Sequence, residues 1–474
     1  RCLGGAPCTR SAFSRVRLCH SRERQALSLS SAEALTPTRG PSHGPSSCGS
    51  PVDPARLSPE RAWLPQGGAS IVKGKLLFAT IPKNAPEVPE GILVEGGRVY
   101  VFVNQLFEYF PFRADFGPLN LGMVWRFGDL MLKKSKEFYK CDPRPLFVLC
   151  VSEAPEQCTT AACLIASWLI LDYNWTVERA WAPFIEGSFL PFRDASQGAP
   201  TFPLGVEAVL QGLHKARECG ILSLDRLNID MYEYADNPLV ADLHEVVPGR
   251  FVAFKGPCAE PAVDEFSCIA QLTPADYHKI LESLRVSTIV RLNQPHYDAS
   301  DFTDAGFKHI ELEFSDGDTP DAALITRWFH TCRQAVGSIA VHCNAGLGRT
   351  GTLIAMWLMR KHKFTAKEVI GYLRVMRPGS VLGAQQEWLA CNEETLWDMG
   401  DPDFFEELPL ELKRLARDSS DPTRRANGAG PASQSSGASE AARAERERKR
   451  EALAHENTLA LERNTADRLR AGLG

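Results

Sequence analysis

The chain has no run of about 18 uninterrupted apolar residues, the length that a membrane-crossing helix needs. Its most apolar stretches, Ala161–Leu171 and Gly351–Met359, are shorter and read as core helices. It also lacks a strong charge bias. A formal net charge of −5 over 474 residues gives no broad attraction to nucleic acid or to an anionic membrane. The fourteen cysteines follow no framework spacing, and no Cys-x-x-Cys pair occurs. Several of them, among them Cys150, Cys163 and Cys343, sit in apolar runs as buried free thiols do. Reduced cysteines are therefore expected. The histidines lack ligand spacing, so neither a structural metal nor another cofactor is expected. Acidic residues are nearly absent from the first thirty positions, which are rich in arginine and serine and have the composition of a transit peptide.

The ends of the chain cannot build a core. Residues 1–68 are rich in Arg, Ser, Pro and Gly, and residues 399–474 turn polar and charged, so both read as disordered extensions. Within the second, Ala441–Leu473 carries regular Leu and Ala and could form a charged helix, and Arg446–Arg450 reads as a nuclear signal or a solvated charge run. Between the extensions the pattern is globular. Leu76–Thr80, Val99–Val103 and Pro145–Cys150 read as strands, Ala161–Asp172 and Pro203–Cys219 as helices. Further on, Val286–Leu292 and Ser338–His342 read as strands. Thr319-Pro320-Asp321 opens a helix with a hydroxyl cap, Thr365-Ala-Lys-Glu368 is a capping box, and Arg377-Pro378-Gly379 stops the helix that follows it. Strands alternating with helices imply an α/β fold with helix-covered sheets. The globular units run over 69–224 and 246–398, with residues 225–245 as a linker helix.

The chemistry lies in Val341-His-Cys-Asn-Ala-Gly-Leu-Gly-Arg-Thr-Gly351. A buried strand enters this segment and an apolar helix leaves it. Asn344, Ala345, Gly346, Leu347 and Gly348 form the loop, whose glycines let backbone N–H groups converge on one anion. The helix beginning near Thr350 adds its positive end. Arg349 offers a planar fork matched to phosphate oxygens. A sulfur held in such a field is favoured as the thiolate, the nucleophilic form. Cys343 is thus the candidate nucleophile, forming a cysteinyl-phosphate that water hydrolyses in a second step, and Thr350 can donate a hydrogen bond to the departing sulfur. A bare Cys-x5-Arg match arises by chance, and the competing reading is a buried cysteine in a tight turn. The ordered strand, glycines, threonine and helix set this one apart.

An alkyl leaving group needs a proton. Asp316, in Glu311-Leu-Glu-Phe-Ser-Asp-Gly-Asp-Thr-Pro320, is the candidate acid on a loop that Gly317 frees to move, with Asp318 as its rival. Gln385 or Gln386, ahead of a helix, could position the water.

The loop, together with Arg377-Pro-Gly-Ser-Val-Leu-Gly-Ala-Gln-Gln386, resembles the cell-division-cycle-fourteen family of dual-specificity phosphatases. Arg291-Leu-Asn293, Tyr297-Asp298, Phe302–Phe307 and Asp316-Gly317 fit as well, as do Ala114–Leu121 and Leu190–Ala195 in the first half; the likeness covers roughly residues 74–398. The resemblance implies two tandem protein-tyrosine-phosphatase-like domains, each a central mixed sheet covered by helices, of which only the second is catalytic. The sequence agrees, because the sixth position after Cys150 is Glu156 and no glycine lies between. The resemblance also implies that Asp316 is the general acid, that Gln385 positions the water, and that Glu233 and Asp236 belong to an acidic substrate groove. It implies phosphoprotein substrates with phosphoserine-proline and a downstream basic residue, reversal of cyclin-dependent phosphorylation, and a nuclear and cytoplasmic setting that includes spindle or centrosome. Nucleic acid and membrane are not expected as partners. The family pattern has Lys after the cysteine where this chain has Asn344, which removes one positive charge and weakens phosphate attraction without touching the chemistry. A phosphoinositide phosphatase would need cations at 344, 345 and 347, all uncharged here. A non-catalytic phosphopeptide binder would be expected to have lost the cysteine, the arginine or the acid. A plain tyrosine phosphatase lacks the tandem half.

Overall fold

The computed structural model describes Pro65 and residues 68–401, apart from 83–84, 86–87, 113, 141–144, 197–199, 261 and 264–269. The expectations for residues 1–64, Ala441–Leu473 and Arg446–Arg450 lie outside the described residues. The described part falls within one compact unit.

The first half opens with β1 (Ala69–Val72), β2 (Leu76–Ile81), β3 (Ile92–Glu95) and β4 (Arg98–Phe102), then helix α1 (Leu121–Tyr139) and β5 (Leu146–Ser152). β5 is the central strand, parallel to β2 on one side and β4 on the other, while β1 and β3 close the edges antiparallel. Helix α2 (Pro155–Tyr173) follows β5 and buries every residue from Thr159 to Leu171, so over that stretch its apolar side chains go all round instead of along one stripe. That is why the sequence signal begins only at Ala161. The first turn, Pro155–Thr160, is mostly polar and masks the true start. Helix α3 (Val206–Glu218) ends the half. The connection forms a short 3₁₀ turn at Leu224–Arg226 and an α-helix over α4 (Ile229–Asp236). The rest of the expected 225–245 linker helix turns back through Asn237–Asp242 and enters β6 (Leu243–Val247).

The second half continues with β7 (Phe251–Lys255), α5 (Pro274–Ser283), β8 (Val286–Arg291), β9 (Lys308–Glu311), α6 (Ala322–Gln334), β10 (Ser338–Cys343), α7 (Gly348–His362), α8 (Ala366–Met376), α9 (Ala384–Cys391) and α10 (Glu393–Asp398). The sheet order is β9-β8-β10-β7-β6, parallel except for β6. β10 is central and every residue of it is buried. The capping box at Thr365 and Glu368 forms as the sequence predicts. The helix after the acid-bearing loop is capped differently: Asp321, not Thr319, accepts from the Leu324 N–H (2.8 Å). Pro320 therefore precedes the cap, because a carboxylate one residue further on reaches the free amides of the first turn.

One continuous apolar cluster takes residues from both halves. The contact is closest where α3 crosses α8. A Cβ on Gly371 would lie 2.7 Å from Val209 Cα, and one on Gly212 would lie 2.1 Å from the Glu368 carbonyl oxygen. These are backbone atoms and cannot swing aside. In an exposed helix Gly→Ala gains about 1 kcal/mol. Here the sign reverses. Gly371→Ala is expected to destabilise by about 1–3 kcal/mol through overpacking, read as a lower urea midpoint; an unchanged or raised midpoint would contradict the close approach.

Candidate active site

Cys343 is the last residue of β10, Asn344–Leu347 make the turn, and α7 begins at Gly348. The turn is wound tightly against β7. Gly346 has φ +67°, and a Cβ there would sit 2.0 Å from the Phe254 carbonyl oxygen, so only glycine fits. Arg377 holds the outside of the turn. Its Nε donates to the Gly346 carbonyl (2.9 Å) and its Nη2 to the Ala345 carbonyl (2.8 Å). Its third nitrogen meets the Asp242 carbonyl (3.0 Å), the Asp242 carboxylate (2.8 Å) and His244 Nδ1 (2.9 Å). The loop carbonyls are thereby fixed outward. From sequence Arg377 reads only as part of a helix stop, since nothing in its local pattern announces contacts to residues 345 and 346.

Arg349 is 3% exposed. Its Nη1 donates to the carbonyls of Leu292 (3.2 Å) and Phe314 (2.8 Å), which lie just past the carboxyl ends of β8 and β9. Its Nε and Nη2 are buried without a hydrogen-bond partner. Nε lies 3.2 Å from Asp316 Oδ1 without hydrogen-bond alignment. Two N–H groups on one edge of a guanidinium, fixed from behind and unsatisfied in front, are set for two oxygens of a tetrahedral anion. The crevice lies at the carboxyl ends of the strands, as ligand sites in open α/β sheets do.

Asp316, 72% exposed, stands at the mouth of this crevice, on a turn with Gly317 at φ +77°. Its neighbour Asp318 is held through its backbone, since Gln385 Nε2 donates to the Asp318 carbonyl (3.0 Å). Gln385 is buried, and its Oε1 lies where a Gly348 Cβ would come within 2.8 Å. It therefore joins the acid-bearing loop to the first residue of α7. Gln386 points elsewhere, accepting from Arg374 Nη2 (2.7 Å). The structure thus separates the two glutamines that the sequence left level. The Thr350 hydroxyl is fully buried with no hydrogen-bond partner. Asn344 is exposed.

Behind Cys343 runs a buried chain. His342 Nδ1 donates to the Cys343 carbonyl (3.2 Å), and its Nε2 accepts from the Tyr297 hydroxyl (2.7 Å), whose oxygen lies 2.9 Å from His309 Nε2. Burial pushes His342 down to about 3.

Glu233 and Asp236, expected in an acidic groove, both have partners. Glu233 forms a two-pronged ion pair with Arg126 (Nε–Oε1 2.6 Å). Asp236 accepts from His244 Nε2 (2.7 Å) and Asn120 (3.3 Å). Since His244 also accepts from Arg377, Asp236 anchors the brace behind the turn that follows Cys343.

The first half has no such crevice at the matching strand. Cys150 lies inside β5, two residues from its end, and only Glu153 and Ala154 separate β5 from α2. That is too short to wind a loop around an anion. Burial pushes the Cys150 thiol up to about 12, and Glu156 is exposed in the first turn of α2.

Comparison with known proteins follows the same division. Residues 70–216 match the family described as dual specificity protein phosphatase, N-terminal half, and residues 270–393 match dual specificity phosphatase, catalytic domain. The two matches in order define the dual-specificity class in its two-half form. Dual specificity protein phosphatase CDC14AB of Danio rerio is 38% identical over 341 residues, 71% of this chain and 54% of that protein. CDC14C of Homo sapiens is 38% identical over 304 residues, 64% of this chain and 67% of that protein. The CDC14 homolog of Schizosaccharomyces pombe is 36% identical over 292 residues, 60% and 54%. The chain belongs to the CDC14 family of dual-specificity phosphatases, and it spans about half the length of most of the curated relatives it matches.

The buried chain gives a pH dependence with a definite sign. Folded His342 stays neutral down to about pH 3, whereas an unfolded histidine protonates near ~6.5. The unfolded state therefore takes up more protons as pH falls through that window, and stability drops, by at most about 1.4 kcal/mol per pH unit from this group. Denaturant midpoints measured from pH 7.5 to 5 should fall more steeply for wild type than for His342→Gln. Equal slopes would remove the assignment.

Proposed function

We propose that the chain is a protein phosphatase acting on phosphoserine, phosphothreonine and phosphotyrosine through a cysteinyl-phosphate. The observation that carries the reading is the unsatisfied edge of buried Arg349 beside the loop that begins at Cys343. In the first step the Cys343 sulfur attacks phosphorus, the P–O bond to the substrate side chain breaks, and Asp316 gives its proton to the leaving oxygen. Arg349 and the loop amides balance the charge on the three non-bridging oxygens. In the second step water, oriented by Gln385, attacks phosphorus. The S–P bond breaks towards Thr350, whose hydroxyl is free to donate, and Asp316 takes the water's proton.

The uncharged side chains at Asn344, Ala345 and Leu347 favour a single phosphate monoester over a multiply phosphorylated inositol head group. Family membership favours phosphoserine followed by proline with a basic residue downstream, and a role in reversing cyclin-dependent phosphorylation in nucleus and cytoplasm. Because Glu233 and Asp236 already have cationic or donor partners, their pull on a substrate cation is modest, which leaves Asp230 as an exposed carboxylate of that helix. The first half is read as a catalytically blank domain.

Phosphoserine-proline peptides with and without a lysine three residues on, phosphotyrosine peptides and phosphoinositides form the deciding panel; turnover of phosphoinositides alone would overturn the proposal. Cys343→Ser should abolish turnover while retaining substrate. Asp316→Ala should lower kcat on phosphoserine by about 10²–10⁴ but change an aryl phosphate far less, because an aryl oxide leaves without a proton. Equal losses on both would show that the acid lies elsewhere.

A further inference from the structure

Two segments of the first half, Ala114–Leu121 and Leu190–Ala195, have no part in the chemistry above. The structure brings them together. Phe116 and Arg193 pair their backbones in both directions (3.3 and 3.0 Å), and the paired segments present Asp115 and Asp194, both buried, to the second half. There they meet the loop that connects α8 to α9. The Asp194 carboxylate accepts from the Gly383 N–H (2.8 Å), a contact between residues 189 positions apart. Arg374 is buried beside them; burial pulls it below the usual arginine range, and the nearby charges of Asp194 and Asp115 oppose that pull in part. Arg374 donates to the carbonyls of Ser380 (3.2 Å) and Val381 (3.1 Å) and to Gln386.

The loop held in this way is strained. Val381 has φ +61°, a region that β-branched residues avoid, and it is fully buried. Gly379 (φ +82°) and Gly383 (φ +53°) flank it. Such a backbone persists only where its surroundings over-determine it. Gly383 is also the residue from which α9 starts, two positions before Gln385. Its place therefore fixes where Gln385 reaches the Asp318 carbonyl and the start of α7.

We propose that Asp194, from the catalytically blank half, is a positioning residue for breakdown of the cysteinyl-phosphate: it clamps the Gly383 N–H so that α9 holds Gln385 in register for the attacking water. The inference rests on the proposed two-step reading and deepens it. The clamp touches neither Cys343, Arg349 nor Asp316, and the loop that Gln385 steadies carries an acid that an aryl leaving group does not need; with an aryl phosphate it therefore acts on the second step and leaves the first alone.

Pre-steady-state kinetics with p-nitrophenyl phosphate separates the steps. In Asp194→Ala the first-turnover burst of p-nitrophenolate should keep its rate constant. Steady-state kcat should fall about tenfold to a hundredfold, the scale of a misplacement of about 1 Å, and acid-quenched phosphoenzyme should accumulate. Asp194→Asn keeps an oxygen to accept from Gly383 and should recover most of kcat. Adding Asp194→Ala to Gln385→Ala should cost little more, since both remove the same positioning. Gly383→Ala strains the clamp from the loop side with the acidic cluster intact, and should shift the partition the same way even if Asp194→Ala folds poorly. Wild-type breakdown rates in both Asp194→Ala and Gly383→Ala would overturn the inference, as would fully multiplied losses in the double variant or an equal slowing of both steps. A wild type that never forms phosphoenzyme would instead remove the two-step reading beneath it.

Discussion

In a tight turn each peptide plane carries its carbonyl and its N–H on opposite edges, so fixing one direction fixes the other. Arg377 uses this. By taking the carbonyls of Ala345 and Gly346 on the outside of the turn, it commits the intervening amides to the inside, where they can meet an anion. The guanidinium is itself held by Asp242, and by His244 with Asp236 behind it. The turn after Cys343 is thus shaped by the fold itself, which meets the cost of turning several like dipoles towards one point. Gly346 is the matching constraint from the backbone side, since any side chain there would collide with β7.

The two central strands make an internal comparison. Each is the middle strand of its sheet, parallel to both neighbours, and each is followed by a buried helix. They differ in what lies between strand and helix. In the second half the strand ends on the cysteine, and the four residues Asn344–Leu347 make a turn before the helix. In the first the strand runs past Cys150, and two residues lead straight into α2. The same residue type is therefore placed in a field of amides in one half and in apolar packing in the other. Burial alone raises a thiol, as at Cys150, because nothing replaces the lost hydration of the thiolate. Fold similarity leaves chemistry undetermined at this level, and loop length decides it.

Local signals were legible. The strand of β-branched and apolar residues into Cys343, the glycines, and the helix after them could be read because each depends on its neighbours in sequence. So could the Thr365 capping box. The start of α2 was missed because its first turn is polar, although Pro155 at the helix start is the usual marker. The cap at Asp321 was placed two residues early because Thr319-Pro320 imitates a cap and first turn. Arg377, Arg374 and Asp194 could not be read as structural groups at all. Their partners are set by tertiary contact, and an isolated arginine or aspartate carries no pattern that says which distant carbonyl or amide it will meet. Glu233 and Asp236 show the converse: their charge was visible, but the Arg126 and His244 that engage it were not.

These long-range contacts bear on why the two halves share one core. An αL backbone at a β-branched residue costs on the order of 1–3 kcal/mol, and contacts from both halves hold the loop that carries Val381. Its N–H is tied to the Leu347 carbonyl (3.3 Å) and its carbonyl to Arg374. Through Leu347 the strained residue is joined directly to the turn after Cys343, and through Gly383 the loop that carries Val381 is joined to Asp194 of the first half. A catalytic half cut away at the linker would lose the carboxylates that partly oppose the desolvation of Arg374 and the surface that α3 lays on α8. The first half is therefore better described as part of the scaffold of the active site than as a separate domain beside it, and the absence of a phosphate loop at Cys150 leaves that structural contribution intact.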